Sequence, residues 1–153
     1  MFNALELKVP PLALVVLFAA AMWLASVSSA FTLFLPWRAA FALMCFTVGF
    51  LVALAGVLAF RRAKTTVNPL TPEATTAMVT SGIYRFTRNP MYLGFLFVLA
   101  GWAMYLSNLL AFAFLPLFAL YMNRFQIVPE ERALCAKFPD AFTAYKRSVR
   151  RWL

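Results

Sequence analysis

Three stretches of this chain carry no charged residue: Val9 to Trp37, Ala39 to Phe60, and Asn89 to Asn123. An α-helix advances about 1.5 Å per residue, so about 20 apolar residues cross the hydrocarbon of a bilayer. A soluble fold of this size has too small an interior to hide three such runs. Composition agrees: 64% of the 153 residues are hydrophobic and 12% charged. Soluble domains hold about 45–50% apolar and about 25% charged residues. The sequence therefore predicts one all-α integral membrane domain over residues 1–153. It excludes an ordinary cytosolic enzyme, a disordered tail and a disulfide-stapled secreted domain.

The first run reads as a span over residues 12–35. Ser28-Ser29-Ala30 has the look of a signal-peptidase site, but the start offers only Glu6 and Lys8 and the apolar core is long. A retained helix is expected. The second span is predicted at 39–60, with Gly49, Ala53 and Gly56 on one face, where small residues let helices approach closely. The third run is too long for one helix. A break at Ser107-Asn108 gives a hairpin of spans 91–106 and 109–128, with Arg124 able to snorkel to the membrane surface. Between the second and third spans, residues 61–90 are rich in Arg, Thr and Pro, a long polar connection of the kind that carries function. In the tail, 129–153, Leu134, Phe138, Phe142, Tyr145, Val149 and Trp152 recur at helical spacing. Pro139-Asp140 interrupts them, so two short amphipathic helices are expected, the second from near Asp140. Basic residues concentrate in 61–90 and in the tail, and the positive-inside rule puts both, with both termini, in the cytoplasm.

The net charge of +9 flanks apolar runs, which points to membrane lipids as partners and not to nucleic acid. There is no histidine, and Cys45 and Cys135 lack a CxxC partner, so no metal site and no Ser-His-Asp chemistry is expected. The five glycines form neither a dinucleotide fingerprint nor a P-loop, and a nucleotide-like cofactor must be held another way.

Two polar pieces remain as candidates: Val79 to Gly94, entering the third span, and Pro129 to Arg132, leaving the fourth. A hairpin brings them to the same membrane face. Asn89-Pro90 at a helix start offers a capping side chain and free N–H groups for a carboxylate. Tyr84 and Tyr92 can face a cation or a flat ring, and Glu130 with Glu131 can bind an ammonium. Each also has a plain structural explanation: a helix cap, acids serving the helix dipole, an interfacial tyrosine belt.

Read in order, Thr65-Thr66-Val67-Asn68-Pro69, Val79-Thr80-Ser81-Gly82-Ile83-Tyr84, Arg88-Asn89-Pro90-Met91-Tyr92-Leu93-Gly94, and Glu130-Glu131 followed by Phe138 and Tyr145 make a set. The set resembles the isoprenylcysteine carboxyl methyltransferase family, a broad membrane group that includes phospholipid N-methyltransferases. The resemblance covers roughly 64–152. It implies an S-adenosyl-L-methionine-dependent methyltransferase with about four spans, its cofactor lying between the membrane surface and a cap made by the cytoplasmic loop and tail. By the same resemblance the cofactor would touch Thr76, Ala77, Met78, Val79, Tyr84, Asn89, Pro90, Met91, Tyr92 and Glu130. The acceptor would be a lipophilic small molecule bearing a carboxylate, thiol or amine. For an amine, Tyr92 or Glu131 would assist proton loss. In the family an arginine shortly before the acidic pair contacts a substrate carboxylate, and Arg124 is the nearest candidate here. The prenylcysteine enzymes carry histidine where this chain has Asn89, whereas phospholipid and bacterial branches often have asparagine, which points away from a literal prenylcysteine assignment; the expected location is a bacterial inner membrane. A chain without histidine can still transfer a methyl from a sulfonium, because alignment in a dry site supplies up to about 7–11 kcal/mol. The alternative is a non-catalytic membrane scaffold using the Gly49/Ala53/Gly56 face. A transporter is disfavoured because the spans lack an intramembrane charge.

Overall fold

The computed structural model describes residues 6–27, 31–63 and 77–153. Thr76 and the Thr65–Pro69 motif lie outside the described residues. Among the described residues the regular structure is helical, apart from one isolated antiparallel bridge between Thr32 and Asn108. The helices are α1 (Pro11–Ser26), α2 (Arg38–Arg62), α3 (Pro90–Leu106), α4 (Leu109–Met122), α5 (Val128–Lys137) and α6 (Pro139–Ser148). A 3-10 turn, Gly82–Arg85, precedes α3, and a π turn, Asn123–Ile127, joins α4 to α5. Among the described residues two helices are long and apolar enough to cross a membrane, Arg38–Arg62 and the continuous Leu109–Lys137. α1 and α3 are apolar but shorter, at 16 and 17 residues, about 25 Å each.

Hydrogen bonds fix the helix directions at both ends. At one end Leu33 N–H donates to the Ser107 carbonyl (2.7 Å), beside the Thr32–Asn108 bridge. α1 is therefore shorter than the span read from hydropathy: it stops at Ser26, and Thr32 and Leu33 pair with the α3–α4 corner. That corner is the expected Ser107-Asn108 break. Ser107 is left-handed (φ 49°), and the Asn108 side chain caps α4 by accepting from Leu110 N–H (3.0 Å). At the other end Leu7 N–H donates to the Phe125 carbonyl (3.0 Å) and Gln126 Nε2 to the Val9 carbonyl (2.7 Å). α1 to α4 thus alternate in direction.

α2 and α3 touch backbone to backbone. The buried residues of α2 are Ala42, Gly49 and Gly56, all small and seven apart, and they face Gly101, Gly94 and Met91 of α3 in turn. A Cβ placed on Gly49 would sit 2.6 Å from the Gly94 carbonyl oxygen, and one on Gly94 2.5 Å from that of Gly49. The expected close approach is therefore made inside the chain. The rest of α2 faces outward with large apolar groups, Leu43 66% and Phe50 64% exposed, a surface suited to lipid and not to water. α3 also packs on α4 and α1 around Leu14, Met22, Leu99, Phe118, Met122 and Ile127.

The hydropathy reading separates the tail from the fourth span, but the helix continues through Pro129. Pro129 has no N–H, so the Phe125 carbonyl four residues back loses its helical donor. The Leu7 N–H takes that place. Pro139 does start a new helix, as its spacing predicts. The tail stripe forms a second core: Phe142, Tyr145 and Val149 are buried with Val79 and Tyr84, against Leu134 and Phe138. Trp152 packs instead on the first core.

Candidate cofactor and active site

The segment entering α3 is shaped by Gly82, whose φ of 63° opens the 3-10 turn in a region that L side chains rarely adopt. That turn buries Tyr84. Its carbonyl accepts from the Tyr145 hydroxyl (2.6 Å) and its ring meets Phe60 edge-on at 5.4 Å between centroids. Burial pushes the Tyr84 hydroxyl well above its ordinary value, with Tyr145 and Glu130 adding to the effect. Burial likewise raises Tyr145, to about 12.

Asn89 begins α3 but does not cap it with its side chain, contrary to the sequence expectation. Its amide Nδ2 donates instead to the Arg151 carbonyl (2.9 Å), while its own N–H donates to Thr87 Oγ1 (3.2 Å). The Arg151 carbonyl draws the asparagine outward, and Pro90 at the first helical position has no N–H of its own to satisfy.

Tyr92 and Glu130 meet across the first turns of α3 and α5. The Tyr92 hydroxyl donates to Glu130 Oε1. Glu130 lies beyond the apolar stretch that ends at Val128. Burial pushes its carboxyl up to about 8; the Tyr92 hydrogen bond opposes this, and the Glu131 carboxylate adds to it. Among the described residues no Lys or Arg forms an ion pair with Glu130. A partly buried acid with no cation among the described residues is an electrostatically unfinished place.

Glu131 is turned elsewhere. Its Oε1 accepts from Arg88 Nη2 (2.9 Å) and Arg151 Nε (3.2 Å), and its Oε2 from Arg151 Nη2 (2.6 Å). Arg124 pairs with Glu6 (2.6 Å), which Arg132 also reaches at 3.3 Å. These contacts, Arg124 first, hold the Glu6 carboxyl below the usual carboxylate range.

The structure thus brings Tyr84, Tyr92 and Glu130 together, with Asn89 and Pro90 at the same helix start. Met91 lies against Gly56, Met78 and Val79 belong to the second core, and Ala77 precedes them. Glu131 and Arg124 sit in separate ion-pair clusters. Sequence reasoning missed the partners Arg88, Arg151, Asn123 and Glu6. One signal was available for the ion pairs: with five acids among fourteen bases, several cations on one acid, as at Glu6 and Glu131, are the expected arrangement.

Comparison with known proteins follows this geometry. The family model of phospholipid methyltransferases matches residues 37–141, from the start of α2 into α6 and across Tyr84, Tyr92 and Glu130. An uncharacterized protein of Haemophilus influenzae is 46% identical over 63 residues, covering 41% of this chain and 100% of that protein. The protein-S-isoprenylcysteine O-methyltransferase of Schizosaccharomyces pombe is 36% identical over 75 residues, 47% of this chain but 30% of that enzyme. The chain therefore spans less than a third of the yeast enzyme's length. No solved structure matches. With the family model covering more than half of its length, this chain belongs to the phospholipid methyltransferase family.

Proposed function

We propose that the chain is an S-adenosylmethionine-dependent methyltransferase acting at the cytoplasmic membrane face on a lipophilic small molecule. Glu130 carries this reading: it is a partly buried carboxyl, hydrogen-bonded by Tyr92 and without a cation among the described residues. A cationic ligand stabilises an acid in that state, and S-adenosylmethionine offers both a sulfonium and an ammonium. Tyr84 and Tyr92 place aromatic rings beside the same position, which suits positive charge. Glu130 and Tyr92 would hold the cationic end of the cofactor, with Tyr84, Met78 and Val79 beside it. When bound, it supplies an activated methyl group.

The chain's own task is alignment and exclusion of water. Tyr145 fixes the Tyr84 turn, and the second core closes over it. An amine acceptor must lose a proton, and the Tyr92 oxygen can receive it as its own hydroxyl proton passes along the hydrogen bond to the Glu130 carboxylate. An acidic acceptor would draw on Arg124 by exchanging with Glu6. In this reading α1 to α4 span the membrane and Glu6, Arg88 and the tail face the cytoplasm. The scaffold alternative loses its surface, since α3 fills the Gly49/Ala53/Gly56 face.

Transfer of labelled methyl from S-adenosylmethionine to total lipid and small-molecule extracts tests the activity; no incorporation into any fraction would count against it. The orientation is tested separately. Cys135 is exposed on α5 and Cys45 partly buried on α2. An impermeant maleimide should label Cys135 only in inverted vesicles, and labelling in intact cells would overturn the assignment.

A further inference from the structure

The two adjacent acids of α5 do different things. Glu130 points to Tyr92, whereas Glu131 gathers two guanidinium groups that come from distant parts of the chain. One is Arg88, just before α3, with a side chain only 10% exposed; the other is Arg151, near the end of the tail. The rest of that tail is laced to the same places. The Arg150 carbonyl accepts from Arg88 N–H (3.0 Å), and the Arg151 carbonyl from Asn89 Nδ2 (2.9 Å) and Thr87 Oγ1 (3.3 Å). Arg88 Nη1 donates to the Lys146 carbonyl (3.2 Å), and Trp152 Nε1 to Asn123 Oδ1 (3.1 Å). Residues 150–152 therefore run from the start of α3 to the π turn, crossing the end where Tyr92 and Glu130 meet. All of them lie beyond the stretch matched by the family model.

We propose that Glu131 is a positioning residue: through Arg88 and Arg151 it holds residues 150–152 closed across the start of α3 and α5, and their release lets the cofactor enter and leave. The second half rests on the cofactor reading above; the first does not. The physical case is one of geometry and charge. A bidentate arginine–carboxylate pair fixes orientation as well as distance. Without Glu131, two guanidiniums would face each other, one of them nearly buried, and the segment would lose its strongest tie. Asn89 couples the segment to the site, because its side chain cannot turn toward a ligand without leaving the Arg151 carbonyl.

The test uses the full chain in detergent micelles without cofactor and follows tryptic cleavage after Arg150 by intact mass. Cleavage of a transiently open segment tracks its open population. Glu131→Gln and Arg151→Gln should each speed that cut roughly ten- to a hundredfold, the size of a lost hydrogen bond to a charged group. Glu130→Gln should leave it at the wild-type rate. Arg151→Gln removes a partly exposed side chain near the chain end, so it reports on the clamp even where Glu131→Gln weakens the fold. A wild-type cleavage rate in Arg151→Gln, or a faster cut in Glu130→Gln to the same degree, would overturn the clamp. Dissociation of S-adenosylmethionine, measured in the same proteins, should quicken in both opened variants. Unchanged dissociation there would overturn the gating role alone. A native chain that binds no S-adenosylmethionine would remove the cofactor reading and the gate with it, while the tryptic result still decides the clamp.

Discussion

Between α2 and α3, Gly49 and Gly94 bring two backbones into contact with no side chain between them. At the start of α3, where Arg88 precedes Gly94 by six residues, the chain is held by Arg88, Glu131 and Arg151 and by carbonyls of the tail. The difference follows from the two solvents. Lipid offers no hydrophobic drive between helices, so association there depends on close packing of small residues. At the polar end water competes for every donor and acceptor, and partly buried, many-centred contacts hold where a single exposed pair would contribute little. The apolar seam sets where the helices are. The polar lacing sets what their ends present.

Breaking the seam should have the largest effect. Gly94→Leu places a branched side chain against the Gly49 carbonyl, Ala53 Cβ and Ala53 N, which cannot yield without parting the helices. Overpacking of this kind costs about 3 kcal/mol at its upper range, and the thermal midpoint in detergent should fall by roughly 10 °C. Glu130→Gln should instead spare the fold and act on the ligand. With Tyr92 still able to donate to the amide oxygen, the midpoint should stay near that of the wild type. Affinity for S-adenosylmethionine should drop roughly ten- to a hundredfold, or about 1.5–3 kcal/mol, in a calorimetric titration. The smallest change is expected at Gly82. A Cβ there meets nothing within 4 Å, so Gly82→Ala carries only the backbone penalty of φ 63°. That is about 1 kcal/mol, read as a shift of roughly 3 °C.

The seam was legible in the sequence because it is a local pattern: Gly49, Ala53 and Gly56 lie on one face of one helix. The Ser107-Asn108 corner and the Pro139 break were legible for the same reason, since each residue acts on its own neighbours. The Tyr92–Glu130 meeting followed once the third and fourth spans were folded as a hairpin. What stayed hidden was non-local. Nothing near Asn89 says that its side chain will serve Arg151, a residue 62 positions away, in place of its own helix. Nor does hydropathy show how the helix runs on through Pro129. The carbonyl that proline leaves without a donor is supplied by Leu7, from the other end of the chain. The end of α1 was set by pairing with the α3–α4 corner, which hydropathy does not register.

The central claim is that Glu130 is a partly buried acid completed by a cationic cofactor, and the pH dependence of binding tests it most directly. In the free protein burial raises the carboxyl to about 8, so the folded chain retains this proton over a range in which an exposed carboxyl has lost it. The stabilisation that this proton gives the free fold is present below the ordinary carboxylate range and is lost as pH rises toward about 8. A bound cation favours the ionised form and lowers that value, so binding releases a proton below about pH 8. Titrations of S-adenosylmethionine from about pH 6 to about pH 9 should show affinity rising by up to about tenfold per unit below about 8; above it the rise ends, and affinity falls where the cofactor's own ammonium is the group held and loses its proton. Glu130→Gln should bind more weakly and lose that slope. Equal affinity for wild type and Glu130→Gln at every pH would contradict the account.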